Sequence, residues 1–156
     1  MNMHPNFSGI ALLVLAILAT APAQGKATTT QARAKRGADV IHSLNKGKNQ
    51  PNLEAMRGEF PFLAEATEAY ALGDVWSRPG LDNRTRQLAA VAVMASIGET
   101  GMMRVHAGYA LNIVVTENEL KEVIYMITVP AGFPKAIMAS QVLSELFRER
   151  RAAVGK

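Results

Sequence analysis

The residue in this chain best suited to moving a proton is His106. An imidazole with an ordinary pKa of about 6.5 both gives and takes protons at neutral pH. Around it the sequence places Met102 and Met103 one turn back, Tyr109 and Ala110 one turn ahead, and Glu99 seven residues back. If the helix reaches back through the corner at 99–101, positions 99, 102, 106 and 109 share one face. That face would carry a carboxylate, a thioether, an imidazole and a phenol. The plainer reading is a hydrogen-bonded packing histidine among methionines. The other two histidines are weaker candidates, since His4 lies in an N-terminal leader and His42 sits beside Ile41 in the first helix.

Arginines supply a second ingredient. Arg78 lies in a loop, and Arg84, Arg86 and Arg104 fall near the starts of the two central helices. A guanidinium binds a carboxylate in bidentate fashion, so a carboxylated ligand would suit them, although most surface arginines only meet solvent. Other chemistries are absent. With no cysteine in 156 residues, there is no disulfide, thiolate nucleophile or thiolate metal site. One central histidine and scattered acids offer no metal-ligand set, and no cofactor is implied. Neither a Gly-x-Ser-x-Gly elbow nor a glycine-rich phosphate loop occurs.

The elements that must position these residues read as helices. The expected succession is 31–45; a helix opened by Pro51; 61–72, ended by Gly73; a loop at 75–80; a long helix capped by Asp82 and closed by Gly98; and 102–112. Thr116 and Glu119 form a capping box for the next helix, which Pro130, Gly132 and Pro134 should break. A last helix carries Ile137 to Phe147, followed by a basic tail. The run Ile113-Val114-Val115 is too short to outweigh the helical period around it. The fold class is therefore all-α, a single-domain bundle with short connections. Helices rich in Ala, Met and Val should bury further apolar surface between subunits.

The first 23 residues contain an unbroken apolar run, Ile10 to Ala19, followed by Thr20 and Ala21-Pro22-Ala23. This is the pattern of a secretory signal cleaved after Ala23, with an uncleaved anchor as the alternative, and it places the mature chain in the periplasm or outside the cell. Residues 24–35 read as a basic linker running into the first helix, 36–147 as the helical domain and 148–156 as the basic tail. The net charge of +4 is concentrated at these ends. No aromatic-interleaved basic stripe supports nucleic-acid binding, and stable membrane insertion is not expected once the signal is removed.

The order of motifs resembles the carboxymuconolactone decarboxylase family, which includes alkylhydroperoxidase D-like proteins. The residues that carry the resemblance are Val75-Trp76-Ser77-Arg78-Pro79-Gly80-Leu81-Asp82-Asn83-Arg84-Thr85-Arg86, His106 with Ala110-Leu111-Asn112, Val115-Thr116-Glu117, and Ala131-Gly132-Phe133-Pro134-Lys135-Ala136. The resemblance implies an all-helical fold assembling as a homotrimer or homohexamer. The peroxidase branch carries Glu, then Cys-x-x-Cys-x-x-x-His. Aligned on His106, its cysteines fall at Glu99 and Met102, and its glutamate at about Gln87. The decarboxylase branch needs no such thiols and is the nearer of the two. It implies a cofactor-free lyase or isomerase acting on a small carboxylated lactone or ring. His106, with Glu99 on its face, would be the acid/base, and Trp76, Arg78, Arg84 and Gln87 would flank the ligand. The missing thiols, Gln87 and Glu99 also allow a non-catalytic ligand-binding or assembly protein on the same scaffold.

A dithiol peroxidase needs one thiolate to attack the peroxide and a second thiol to resolve it. Purified protein given an alkyl hydroperoxide and a dithiol reductant should therefore consume peroxide at the protein-free rate. Turnover above that rate would show a peroxidase chemistry without sulfur.

Overall fold

In the computed structural model the described residues are 29–155. The expected signal segment, 1–23, and residues 24–28 of the basic linker lie outside them. The described residues form seven α-helices and one π-helical segment, with no strand among them. The all-α expectation holds, and none of these helices is long and apolar enough to cross a membrane.

The chain begins with α1, Thr30–Leu44, capped by Thr29, whose hydroxyl accepts the Ala32 N–H at 3.1 Å. Pro51 opens α2, Pro51–Glu59, and Pro61 opens α3, Pro61–Ala66. Both prolines sit at a first helical position, where a missing N–H costs nothing. The next stretch departs from expectation. Gly73 does not end a helix; α3 runs on into a π-helical segment, Thr67–Trp76, so Val75 and Trp76 are helical rather than part of the loop. The segment closes with the Ser77 N–H donating to the Leu72 carbonyl, five residues back.

Gly73 has a different task. A β-carbon built on it would lie 2.0 Å from the Arg33 carbonyl oxygen, and one on Gly37 would lie 2.1 Å from that of Glu68. The two glycines let α1 and the π-helical segment meet backbone against backbone. At the edge of this crossing Asp74 accepts hydrogen bonds from Arg33 at 2.8 Å and Arg36 at 3.1 Å. The Arg33 hydrogen bond, more than simple charge proximity, holds the Asp74 carboxyl below its usual range.

The remaining four helices form a bundle. Asp82 caps α4, Asn83–Ile97, and Gly98 ends it in the left-handed conformation at φ 82°. Glu99 caps α5, Thr100–Asn112, and the Thr116–Glu119 capping box starts α6, Glu117–Ala131. Pro130 does not break α6. It lies in the final turn and forfeits one ladder bond, that to the Met126 carbonyl, and Gly132 at φ 83° makes the turn instead. The last helix, α7, spans Phe133–Val154, so the basic residues set apart as a tail are helical almost throughout. Ile113-Val114-Val115 forms the corner between α5 and α6, with Val114 at a left-handed φ of 71°. Val91, Met103, Leu120, Ile127 and Leu143, none more than 2% exposed, centre the core of this bundle. A smaller cluster of Ile41, Leu44 and Tyr109, with Leu72, Trp76 and Val105 against it, joins α1 and the π-helical segment to α5.

The crossing can be tested by adding single methyl groups. Gly73→Ala and Gly37→Ala should each lower the stability measured by urea unfolding by roughly 1–3 kcal/mol or more, because the obstruction is backbone. Gly58 in α2 has nothing within 4 Å, so Gly58→Ala should be neutral or stabilising by up to about 1 kcal/mol. An unchanged midpoint for Gly73→Ala would contradict the close approach.

Candidate active site

A chamber of about 290 Å³ lies where the N-terminal elements meet α5. Ile41 of α1 contributes to one side, and Leu53 and Met56 of α2 to another. Thr67, Ala71, Leu72 and Trp76 come from the π-helical segment, and Met102, Val105, His106 and Tyr109 from α5; Gln50 and Asn52 stand at the entry to α2. The π-helical winding decides this. At 3.6 residues per turn, nine residues make two and a half turns, and Thr67 and Trp76 would point to opposite sides. Bonds spanning five residues widen the turn and return both to one face.

His106 is held on three sides. Its Nδ1 lies 2.9 Å from Oε1 of Gln87, which is fully buried on the α4 face that also carries Val91 and Ala95. An amide oxygen only accepts, so Nδ1 carries the hydrogen and, in the neutral ring, Nε2 carries the lone pair. The Trp76 indole stacks on the imidazole with centroids 5.4 Å apart and planes at 23°, and the Tyr109 ring stands nearly perpendicular to it at 6.2 Å and 86°. The Tyr109 hydroxyl receives a 2.6 Å hydrogen bond from Nε2 of Gln50, which ties the start of α2 to α5. Burial is the cause of both shifts here: it lowers the His106 pKa and raises that of Tyr109.

Among the described residues, no Asp, Glu, Lys or Arg lines the chamber. Of the lining groups, only His106 can become a cation. Such a space can host neutral molecules freely, but a carboxylate entering it needs a counter-charge, because an unpaired ion in an apolar enclosure is costly.

The six residues singled out from the sequence therefore separate into two groups. His106, Trp76 and Gln87 come together, with Gln87 behind the imidazole rather than in the lining. Glu99, Arg78 and Arg84 do not reach the chamber. Glu99 was placed on the His106 face by extending the helix through the corner; at φ −83° and ψ 73° its backbone leaves that helix, and its carboxylate caps α5 at the Met102 N–H. Arg84 pairs with Glu119 of the capping box. Arg78 lines a shallow outer groove with Arg36, Asp39 and Asn83, on which Trp76 also borders. Arg86 folds back onto the Leu81 and Arg78 carbonyls, and Arg104 pairs with Glu149. No group of three or more metal-ligating side chains occurs among the described residues. The contributions of Gln50, Leu53 and Met56 left no trace in the sequence pattern, since they depend on how α2 folds over a helix more than forty positions away.

The comparisons with known proteins agree with this architecture. Residues 61–145 match the family model described as the carboxymuconolactone decarboxylase family. Over 112 residues, 71% of this chain and 81% of the relative, the sequence is 39% identical to 4-carboxymuconolactone decarboxylase of Acinetobacter baylyi. Over 100 residues, 61% of this chain and 68% of the relative, it is 32% identical to nitrosuccinic acid decarboxylase of Metarhizium robertsii. The matched segment holds Trp76, Gln87 and His106 and covers more than half of the sequence, and the chain belongs to the carboxymuconolactone decarboxylase family.

Proposed function

We propose that this protein is a decarboxylase-type carbon–carbon lyase that removes carbon dioxide from a small carboxylated molecule, with His106 as the proton donor. The observation that carries the reading is the chamber's charge: among the described residues His106 is the only lining group able to be cationic, and its Nδ1 is committed to Gln87. Both relatives named above are decarboxylases of small acids, which supports the same class of reaction here.

The chemistry follows from the walls. A carboxylate entering the chamber raises the proton affinity of His106, and the ring takes up a proton at Nε2 to pair with it. When the bond between the carboxyl carbon and its neighbour breaks, carbon dioxide leaves and the electron pair moves into the adjoining unsaturated system as an enolate. The Nε2 proton bonds to carbon, His106 returns to neutral, and water restores the proton after release. In sum, one carboxylate and one proton give one carbon dioxide and one carbon–hydrogen bond. Because the charge leaves the carboxylate as the bond breaks, a site dry enough to disfavour a localised anion also favours the step.

The apolar residues left exposed on α6 and α7, among them Tyr125, Met126, Val129, Phe133 and Ile137, favour a homo-oligomer packed through these helices. Light scattering should give a mass above that of one chain, and a monodisperse monomer at working concentration would remove this part of the reading.

The mechanism predicts a specific pH response. Only the fraction of free enzyme with a protonated ring binds productively, so kcat/KM for a lactone or succinate-type carboxylate should fall about tenfold per pH unit above the His106 pKa. Burial places that limb below the ordinary imidazole value. His106→Gln should lose roughly 10²–10⁴ in rate. Gln87→Leu, which removes one hydrogen bond worth about 1 to 1.5 kcal/mol, should lose about tenfold. Wild-type rates in His106→Gln would end the proposal.

A stability measurement complements it. The folded pKa of His106 is depressed, so the unfolded chain takes up a proton that the folded ring resists. The stability contributed by the neutral ring is complete above about pH 6.5 and is lost as pH falls toward the folded value. In His106→Gln, urea midpoints compared across that window should lack this component.

A further inference from the structure

The use of Trp76 by the fold is unusual. It ends the π-helical segment, and its indole nitrogen is buried without a hydrogen bond to the protein. It is therefore the ring face, not the N–H, that the structure puts to work. That face lies against the imidazole at 5.4 Å and 23°, within the range over which an aromatic ring attracts a cation. Tyr109 stands nearly perpendicular to the imidazole at 6.2 Å and 86° and does not stack on it. With Gln87 on Nδ1, Nε2 is the one imidazole nitrogen left free to exchange a proton with a ligand in the chamber.

We propose that Trp76 is a positioning residue that sets the proton affinity of His106, its indole face stabilising the imidazolium and holding the ring on Gln87. The proposal rests on the lyase reading only for its catalytic consequence, since the effect itself is a proton equilibrium that exists without substrate. Burial alone makes His106 a poor proton acceptor. An indole face offsets part of that penalty without introducing a fixed charge, which would otherwise neutralise or repel the incoming carboxylate. A lysine or a carboxylate in the same place would do one or the other.

The charged and titratable groups near the pair are few. Tyr109 lies on α5 itself. Arg36 and Asp39 of α1 and Arg78 after the π-helical segment border the outer groove behind Trp76, and Asp74 is engaged by Arg33 and Arg36. The Arg33 hydrogen bond holds the Asp74 carboxyl below its usual range and burial raises the Tyr109 phenol, so neither changes charge between pH 5 and 8. His106 is the imidazole in contact with the indole, whereas His42 is exposed and bonded to Asn49.

The chain contains one tryptophan, and a protonated imidazole in contact with an indole quenches its fluorescence. The first measurement is therefore the emission of the full chain between pH 4.5 and 8. Emission should fall on acidification with a midpoint below about 6.5, and His106→Gln should abolish the transition while keeping the helical circular dichroism. A midpoint that persists in His106→Gln would overturn the assignment.

The second measurement is the His106 titration by NMR in Trp76→Phe and Trp76→Leu. Loss of the aromatic face should lower the His106 pKa in Trp76→Leu by about half a unit or more, with Trp76→Phe intermediate. If Trp76 were only a wall, its truncation would admit water and move the pKa upward, toward the ordinary imidazole value. An upward shift or no shift would overturn the proposal, and Trp76→Phe guards against a folding defect in the smaller variant. Neither readout requires turnover, so a failure here leaves the lyase reading intact, and a failure of the lyase assay leaves this one intact.

Discussion

Two backbone carbonyls with no room beside them for a methyl group organise the N-terminal half of this molecule. The Glu68 carbonyl faces Gly37 and the Arg33 carbonyl faces Gly73, so α1 and the π-helical segment touch without intervening side chains. Such contact gains dispersion energy only while both glycines stay bare. It also fixes where the segment lies relative to α5. With the axis pinned and the winding widened, Thr67, Ala71, Leu72 and Trp76 open onto one chamber. The site therefore depends on a contact whose residues take no part in its chemistry.

A second constraint is electrostatic. The chain carries 17 basic and 13 acidic side chains, yet none of those among the described residues lines the chamber. The arginines nearest in sequence to the expected ligand are occupied in binding the fold together: Arg84 at the start of α6, Arg86 along its own loop, Arg104 across to α7. Exposed pairs of this kind stabilise a protein little. Their effect is on geometry, and it leaves one switchable charge inside an enclosure of neutral atoms. A ligand anion entering there meets a group whose charge state it can itself change.

Much of this could be read from the sequence, and where reading failed the cause is physical. Asp82 and Thr116 with Glu119 act through bonds to residues three positions away, and Gly98 and the two helix-opening prolines act through their own backbone geometry, so all of these roles followed from local sequence alone. His106 stood out by its chemistry, and Trp76 and Gln87 were picked out through the family resemblance aligned on it. Gly73 misled because a glycine that ends a helix and one that admits a neighbouring helix look the same in one dimension. Glu99 misled because helical periodicity carries no sign of where the backbone turns. The α2 wall was invisible, being a product of tertiary packing.

The corner before α5 has a broader significance. Helix starts leave amide hydrogens unpaired and concentrate partial positive charge, so an acceptor with negative charge is favoured there whatever atom bears it. Glu99 fills that need with oxygen. By the alignment on His106, the first cysteine of the peroxidase motif falls at the same position. The scaffold thus has a socket indifferent to the element that occupies it, and a lineage can exchange redox for non-redox chemistry at that point without rebuilding the turn.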